Sequence, residues 1–226
     1  MTRFFVSPDS AESWKVGLAK PSHWRAGYSA HSLAYTWHGA NGFPPSVAAA
    51  FAASELGELE FLAGIPEYKV ALPGGETASQ TDLFVLARNS PGETVAIAVE
   101  GKASEKFGDD TVADWRLGGS PGKQARLKFL LEVLGLADDE ELGGLRYQLL
   151  HRTASPLIEA ARVNATHSVM LVHSFGGENK WFEEYAAFAG LLGATAEVGT
   201  VSCATRSPRS LFLGWVSDPH PEVAGA

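Results

Sequence analysis

The stretch Thr94–Lys102 limits the folds open to this chain more than any other segment. Its centre, Val95-Ala96-Ile97-Ala98-Val99, is apolar at every position and rich in β-branched residues, so neither face of the strand it predicts suits water. Such a strand belongs in the middle of a sheet covered on both sides. The apolar run stops at Glu100-Gly101-Lys102. Side chains alternate along a strand, so Glu100 and Lys102 project from one face, and Gly101 between them lets the backbone bend or a partner come close.

The rest of the chain supplies neighbours for that strand. Residues 1–45, rich in aromatic and polar side chains, predict short helices over Ser13–Ala19, stopped by Pro21, and over Ala30–Ala40, capped by Ser29 and ended by Asn41-Gly42. They form an N-terminal helical extension packed on a core domain of residues 46–218. That core opens with a helix over Ser46–Ala63, then a strand over Tyr68–Leu72 closed by Pro73-Gly74-Gly75. A strand over Thr81–Ala87 and a turn through Pro91-Gly92 lead into the central strand. Helices over Lys123–Leu134 and Leu145–Val163 follow, the second kinked or split by Pro156. A strand over Ser168–Ser174, a helix over Trp181–Leu192 and a strand over Leu211–Val216 complete the series, and residues 219–226 read as a frayed tail. The order predicts one α/β domain with a mixed central sheet flanked by helices.

Composition narrows the class. The chain has 226 residues, 45% of them hydrophobic and 19% charged, enough to bury a sizeable core and unlike a disordered segment. Its apolar runs are too short to span a bilayer, and Met1–Ser13 lacks the apolar stretch of a secretory leader, so a cytoplasmic protein without a membrane partner is expected. Cys203 is the sole cysteine, which excludes an internal disulfide and a cysteine-based zinc cluster. A net charge of −8 argues against a protein that coats nucleic acid non-specifically. It leaves room for a local basic groove beside metal-binding carboxylates.

Asp82 enters an apolar strand directly after the polar stretch Gly74–Thr81, and a carboxylate there is capped, paired or a ligand. The connection from Asp82 to Glu100 is short and turns midway, so the two strands can be antiparallel neighbours with the two acids side by side. Two carboxylates and a lysine at a strand end suit metal-assisted hydrolysis of a phosphodiester, with Mg2+ or Mn2+ as the hard cation and Lys102 as the group that orients water or offsets charge. The plainer alternative is a buried ion pair between Lys102 and Glu100 or Asp82.

Asp82, seventeen intervening residues and then Glu100-Gly101-Lys102 resemble the PD-(D/E)XK, or restriction-endonuclease-like, nuclease superfamily, with Thr81 at its often-absent proline. Residues 10–216 resemble more closely an uncharacterised bacterial family within it. The shared stretches include Ser13-Trp14-Lys15, His23-Trp24, Gly27-Tyr28-Ser29-Ala30, Ser79-Gln80-Thr81-Asp82, Arg146–Arg152 and Val172-His173-Ser174-Phe175. The resemblance implies a restriction-endonuclease-like core, a divalent metal on Asp82 and Glu100, and cleavage of nucleic acid, DNA foremost. A catalytically inactive member that binds nucleic acid or a protein partner is the alternative. Nucleases of this fold often act as dimers, which admits a homodimer. Their first core helix often adds an acid, for which Glu55 or Glu58 is the candidate ahead of Glu60. Gln148 and Arg152, one turn apart on a helix, share a face from which Gln148 can hold a metal-bound water and Arg152 a phosphate. His151 beside them is a candidate for the site's edge. The other histidines lack a ligand-like spacing and read as satisfied polar or core residues, and the aromatic N-terminus reads as a layer packed over the sheet.

Overall fold

The computed structural model describes residues 10–18 and 21–222. Helices α1 (Ser29–Ala40) and α2 (Pro45–Ala52) precede a meander of three antiparallel strands, β1 (Leu59–Val70), β2 (Ser79–Asn89) and β3 (Thr94–Lys102). Four helices then cross over: α3 (Val112–Arg116), α4 (Pro121–Leu134), α5 (Glu140–Gly143) and α6 (Tyr147–Val163). They lead into β4 (His167–Phe175), which lies parallel to β3. After α7 (Phe182–Leu191) come β5 (Thr200–Cys203) and β6 (Leu211–Asp218), the latter parallel to β4 and paired with β5 at the sheet edge. The six strands run β1-β2-β3-β4-β6-β5, a mixed sheet with β3 inside it. Among the described residues no helix is long and apolar enough to cross a membrane.

Each face of β3 is buried against a different layer, as its uninterrupted apolar run requires. Val95, Ile97 and Val99 join Leu83 and Val85 of β2 under Leu33 and Trp37 of α1 and Phe51 of α2. On the opposite face Ala96 meets Phe84 and Ala160 of α6, while Met170, Val172 and Trp215 meet Leu130 of α4, Leu149 and Leu157 of α6, and Phe188 of α7. Fully burying a side chain such as Leu33 or Phe188 contributes about 1.5–3 kcal/mol each. The residues of β3 under α6 are small, Ala96 and Ala98, so the helix lies close on the sheet. That closeness carries the first turns of α6 over the end of β3.

A buried polar link ties the N-terminal layer to the sheet. Trp37 Nε1 donates to His173 Nδ1 (2.9 Å), which leaves the imidazole proton on Nε2, facing Asp218 Oδ2 at 3.0 Å. Asp218 Oδ2 also accepts from Ser46 Oγ (2.7 Å). Burial pushes the His173 pKa down, in keeping with a neutral ring.

Several elements depart from the sequence-based expectation. The helix expected over Ser46–Ala63 ends at Ala52, because Ser54 Oγ caps the Phe51 carbonyl (2.7 Å) and Gly57 turns the chain with a φ of +68°. The chain from Leu59 is strand, and the strand expected over Tyr68–Leu72 is the far end of a twelve-residue β1. Pro156 does not split α6, which runs unbroken from Tyr147 to Val163. Helices α3 and α5 and strand β5 were not foreseen. Where a frayed tail was expected, His220 Nδ1 hydrogen-bonds Ser32 Oγ (2.8 Å). Residues 223–226 of that tail, residue 19 of the helix expected over Ser13–Ala19, and residues 1–9 of the segment judged against a secretory leader lie outside the described residues.

Candidate functional site

The strand register sets three carboxylates in a row. Leu83 pairs with Val99, which sets Asp82 beside Glu100. On its other side Leu83 pairs with Pro66 and Thr81 with Tyr68, which sets Glu67 beside Asp82. Glu67, Asp82 and Glu100 thus stand on β1, β2 and β3 side by side, and Lys102 follows Glu100 on the same face. All four line a cleft of about 450 Å3 with Gln148 and Arg152 on one wall and Ser29 of α1 on another.

Glu100 is enclosed by donors. Lys102 Nζ donates to its Oε1 at 2.7 Å, Gln148 Nε2 to the same oxygen at 2.9 Å, and Arg152 Nε to its Oε2 at 2.6 Å. Burial by itself would raise the Glu100 pKa, but the charges of Arg152 and Lys102 and their hydrogen bonds outweigh it and bring it to about 2. Asp82 is the opposite case. Among the described residues its Oδ2 accepts only the Gly101 N–H (2.7 Å), and burial, then the charges of Glu100 and Glu67, push its pKa well above the ordinary aspartate range against the pull of Arg152 and Lys102. Glu67 accepts from Gln80 Nε2 (2.6 Å), yet burial raises its pKa to about 7, with Glu100 adding to the rise and Arg152 opposing it. Three acids therefore face two cations, and the two acids farther from those cations carry the strain. Backbone strain accompanies it, since Glu67 has a φ of +53°, which few side chains adopt.

The donor chemistry fits a divalent cation of the Mg2+ or Mn2+ kind. Such an ion takes one or two carboxylates and completes its shell with water and substrate oxygens rather than with a protein cage. Among the described residues no three acidic, histidine or cysteine side chains stand ready as a ligand shell. A cation between them and Glu100 would favour the ionised forms of Asp82 and Glu67, which the bare site opposes.

The structure brings together Asp82, Glu100, Lys102, Gln148 and Arg152. It does not bring the helix glutamates to them. Glu55 lies in the turn after α2 and Glu58 lines a separate depression with Phe43 and Phe51, because the helix that would have carried them inward stops at Ala52. Glu60, the lesser candidate, faces another depression beside Arg88. The acid that does join the row, Glu67, went unrecognised. Its signal was an acidic residue after Ile65-Pro66 within an apolar segment, legible only once that segment is read as strand. His151 sits at the edge of the site with its Nδ1 against Ser79 Oγ (2.9 Å), and burial, with the nearby charge of Arg152, pushes its pKa down to about 3. A second chamber of about 560 Å3 opens from the cleft and shares Gln80, Gly108, Gln148 and Arg152 with it.

Residues 7–220 match the family described as domain of unknown function DUF6946, and the chain belongs to that family. No curated protein and no solved structure matches it.

Proposed function

We propose that this member of the DUF6946 family is a divalent-metal-dependent nuclease of the PD-(D/E)XK type that hydrolyses phosphodiester bonds, in DNA foremost. One observation carries the reading: the strand register sets Asp82 beside Glu100, with Lys102 on the same face, in an open cleft at the end of the central strand. Asp82 and Glu100 would hold the metal, and Glu67, whose ionised form the cation favours, would add to the negative field around it. A bound Mg2+ or Mn2+ supplies Lewis acidity toward a phosphoryl oxygen and acidifies water. Lys102 Nζ, released from Glu100, orients the attacking water and offsets charge as it builds on the phosphorus. Arg152, released likewise, clamps a non-bridging phosphate oxygen, for which its forked donors are suited. Gln148 presents its carboxamide to the water. Helices α1 and α6 bound the cleft on either side of these groups.

A second reading, a nuclease-like fold that binds nucleic acid or a protein without cutting, has its own support. Glu100 is fully satisfied by Lys102, Gln148 and Arg152, a closed network that is stable without any ligand. Incubation with labelled single- and double-stranded DNA and RNA in Mg2+ or Mn2+ separates the two. Cutting that disappears in Asp82→Ala and Lys102→Ala supports the nuclease. Metal binding with no substrate cut supports the inactive fold, and absence of both removes the metal site altogether.

A further inference from the structure

The second chamber holds an unusual cation. Arg126 of α4 is only 9% exposed, yet its guanidinium meets carbonyls rather than a carboxylate: Nε donates to Pro73 O (2.8 Å) and Nη2 to Gly75 O (3.3 Å). No described carboxylate forms an ion pair with it. Burying a charge without a counter-charge is expensive, and an anion seated here would offset that cost. Lys123, one turn earlier on α4, is a second cation, half-buried. It donates to the Trp115 carbonyl (2.9 Å), lies 5.1 Å over the Trp115 ring and likewise has no described acid partner.

The walls continue the theme. Tyr147 Oη is buried and faces Arg126, whose charge and hydrogen bond lower the phenol pKa against the larger rise from burial. Tyr147 is itself held flat against Trp115, ring centroids 4.0 Å apart and 10° from parallel. His151 is kept neutral and adds no charge. The carboxylates near the mouth, Asp109 and Asp110, are on its exposed rim, and Asp109 is paired with Lys106 at 3.0 Å. Arg152 stands between the chambers, its Nε on Glu100 and its Nη1 3.3 Å from Ser79 Oγ.

We propose that this chamber is an anion subsite that binds a phosphate group of the substrate strand on Arg126, Lys123 and the Tyr147 hydroxyl, next to the phosphate that is cut. The identity of the strand's reacting phosphate rests on the proposed nuclease reading. The phosphate-binding chemistry of the chamber does not. The bound phosphate is either internal to the strand or a terminal monoester, and both carry the oxygens these three donors require.

Fluorescence anisotropy with short labelled oligodeoxynucleotides, in Ca2+ in place of Mg2+ and over a range of salt, tests this. The oligonucleotides carry hydroxyl ends, a 5′-phosphate or a 3′-phosphate, and the proteins are the full chain, Lys123→Gln, Arg126→Gln and Tyr147→Phe. Each lysine or arginine change is expected to weaken binding about tenfold and to reduce the salt dependence by about one released counterion. Loss of a loop contact alone would not move the salt dependence. Arg126 also braces the Gly74-Gly75 turn, so Lys123→Gln and Tyr147→Phe, checked by thermal melting, carry the test if Arg126→Gln does not fold. A tighter fit for one phosphorylated end, erased by Lys123→Gln, assigns the subsite to a terminal phosphate. An equal loss for all oligonucleotides assigns it to an internal one. Wild-type affinity and salt dependence in Lys123→Gln and Tyr147→Phe overturn the subsite, as does a wild-type protein that binds no oligonucleotide. Unchanged binding with cleavage intact sinks the subsite alone, and variant-sensitive binding without cleavage sinks the nuclease alone.

Discussion

Glu67→Gln is predicted to stabilise the metal-free protein in mild alkali and to leave it unchanged in mild acid. The folded-state pKa of Glu67 is raised to about 7 from the ordinary 4.5, chiefly by burial. A carboxyl with a raised folded pKa contributes stability below its unfolded pKa and loses it as pH rises through the folded value. The wild type therefore weakens between about pH 4.5 and about 7, while a glutamine stays in the neutral form throughout. At about 1.4 kcal/mol per pKa unit the full effect is roughly 3 kcal/mol. Glu67 keeps part of its surface in the cleft, where solvent screens it, so ~1–2 kcal/mol is expected. For a chain of this size that is roughly 3–7 °C in melting temperature. The comparison is clean, because the φ of +53° is common to both proteins and a glutamine carbonyl can still accept from Gln80 Nε2. Thermal melts in EDTA near pH 8 and near pH 5 read the difference. Equal melting temperatures near pH 8, or the same gain at both pH values, would refute the idea that the carboxylate row is electrostatically loaded.

Other changes test neighbouring parts of the same argument. Asp82→Asn removes a carboxylate whose pKa is held up by burial and by Glu100 and Glu67, so it should raise the melting temperature of the metal-free protein near neutral pH while abolishing the stabilisation conferred by added Mn2+. His151, whose pKa is pushed from 6.5 to about 3, stays neutral while the unfolded chain takes up a proton, so it contributes a loss of stability as pH falls through that window. His151→Asn, which keeps a polar group against Ser79, should flatten that limb in urea titrations run from neutral to acid pH. Gly74 has a φ of +81° and a Cβ there would lie 2.0 Å from the Gly122 carbonyl oxygen, so Gly74→Ala should destabilise by about 2 kcal/mol or more and loosen the turn that Arg126 braces, seen by urea unfolding.

The parts of this fold legible in the sequence are those where one local rule decides. The apolar run of β3 pointed to its central place, and the short turn before it allowed a hairpin with β2 that could bring Asp82 beside Glu100, which the strand register does. The helical spacing of Gln148 and Arg152 likewise put both on one face, and the small residues Ala96 and Ala98 bring that face onto Glu100. The β1 region failed because two rules competed. Residues Ser46–Ala63 carry apolar spacings that suit a helix, and only the cap at Ser54 and the positive φ of Gly57 break it. A helix carried through to Ala63 hides the strand before Tyr68, and Glu67 with it, and leaves Glu55 and Glu58 as the acids that helix spacing suggests. The chamber around Arg126 was invisible for a different reason: it joins a loop at Gly74-Gly75 to helices separated from it by some fifty residues or more, and no spacing rule links them.

Single-turnover cleavage of an end-labelled DNA, compared among the wild type, Asp82→Asn, Lys102→Ala and Glu100→Gln with and without Mg2+ or Mn2+, tests the metal-dependent nuclease most directly. If the carboxylate row and Lys102 form a hydrolytic site, the wild type cuts only with metal, and each variant falls by about a hundredfold or more while its melting curve remains cooperative. Wild-type protein that leaves every DNA intact in both metals, or cutting that persists in all three variants, would contradict it.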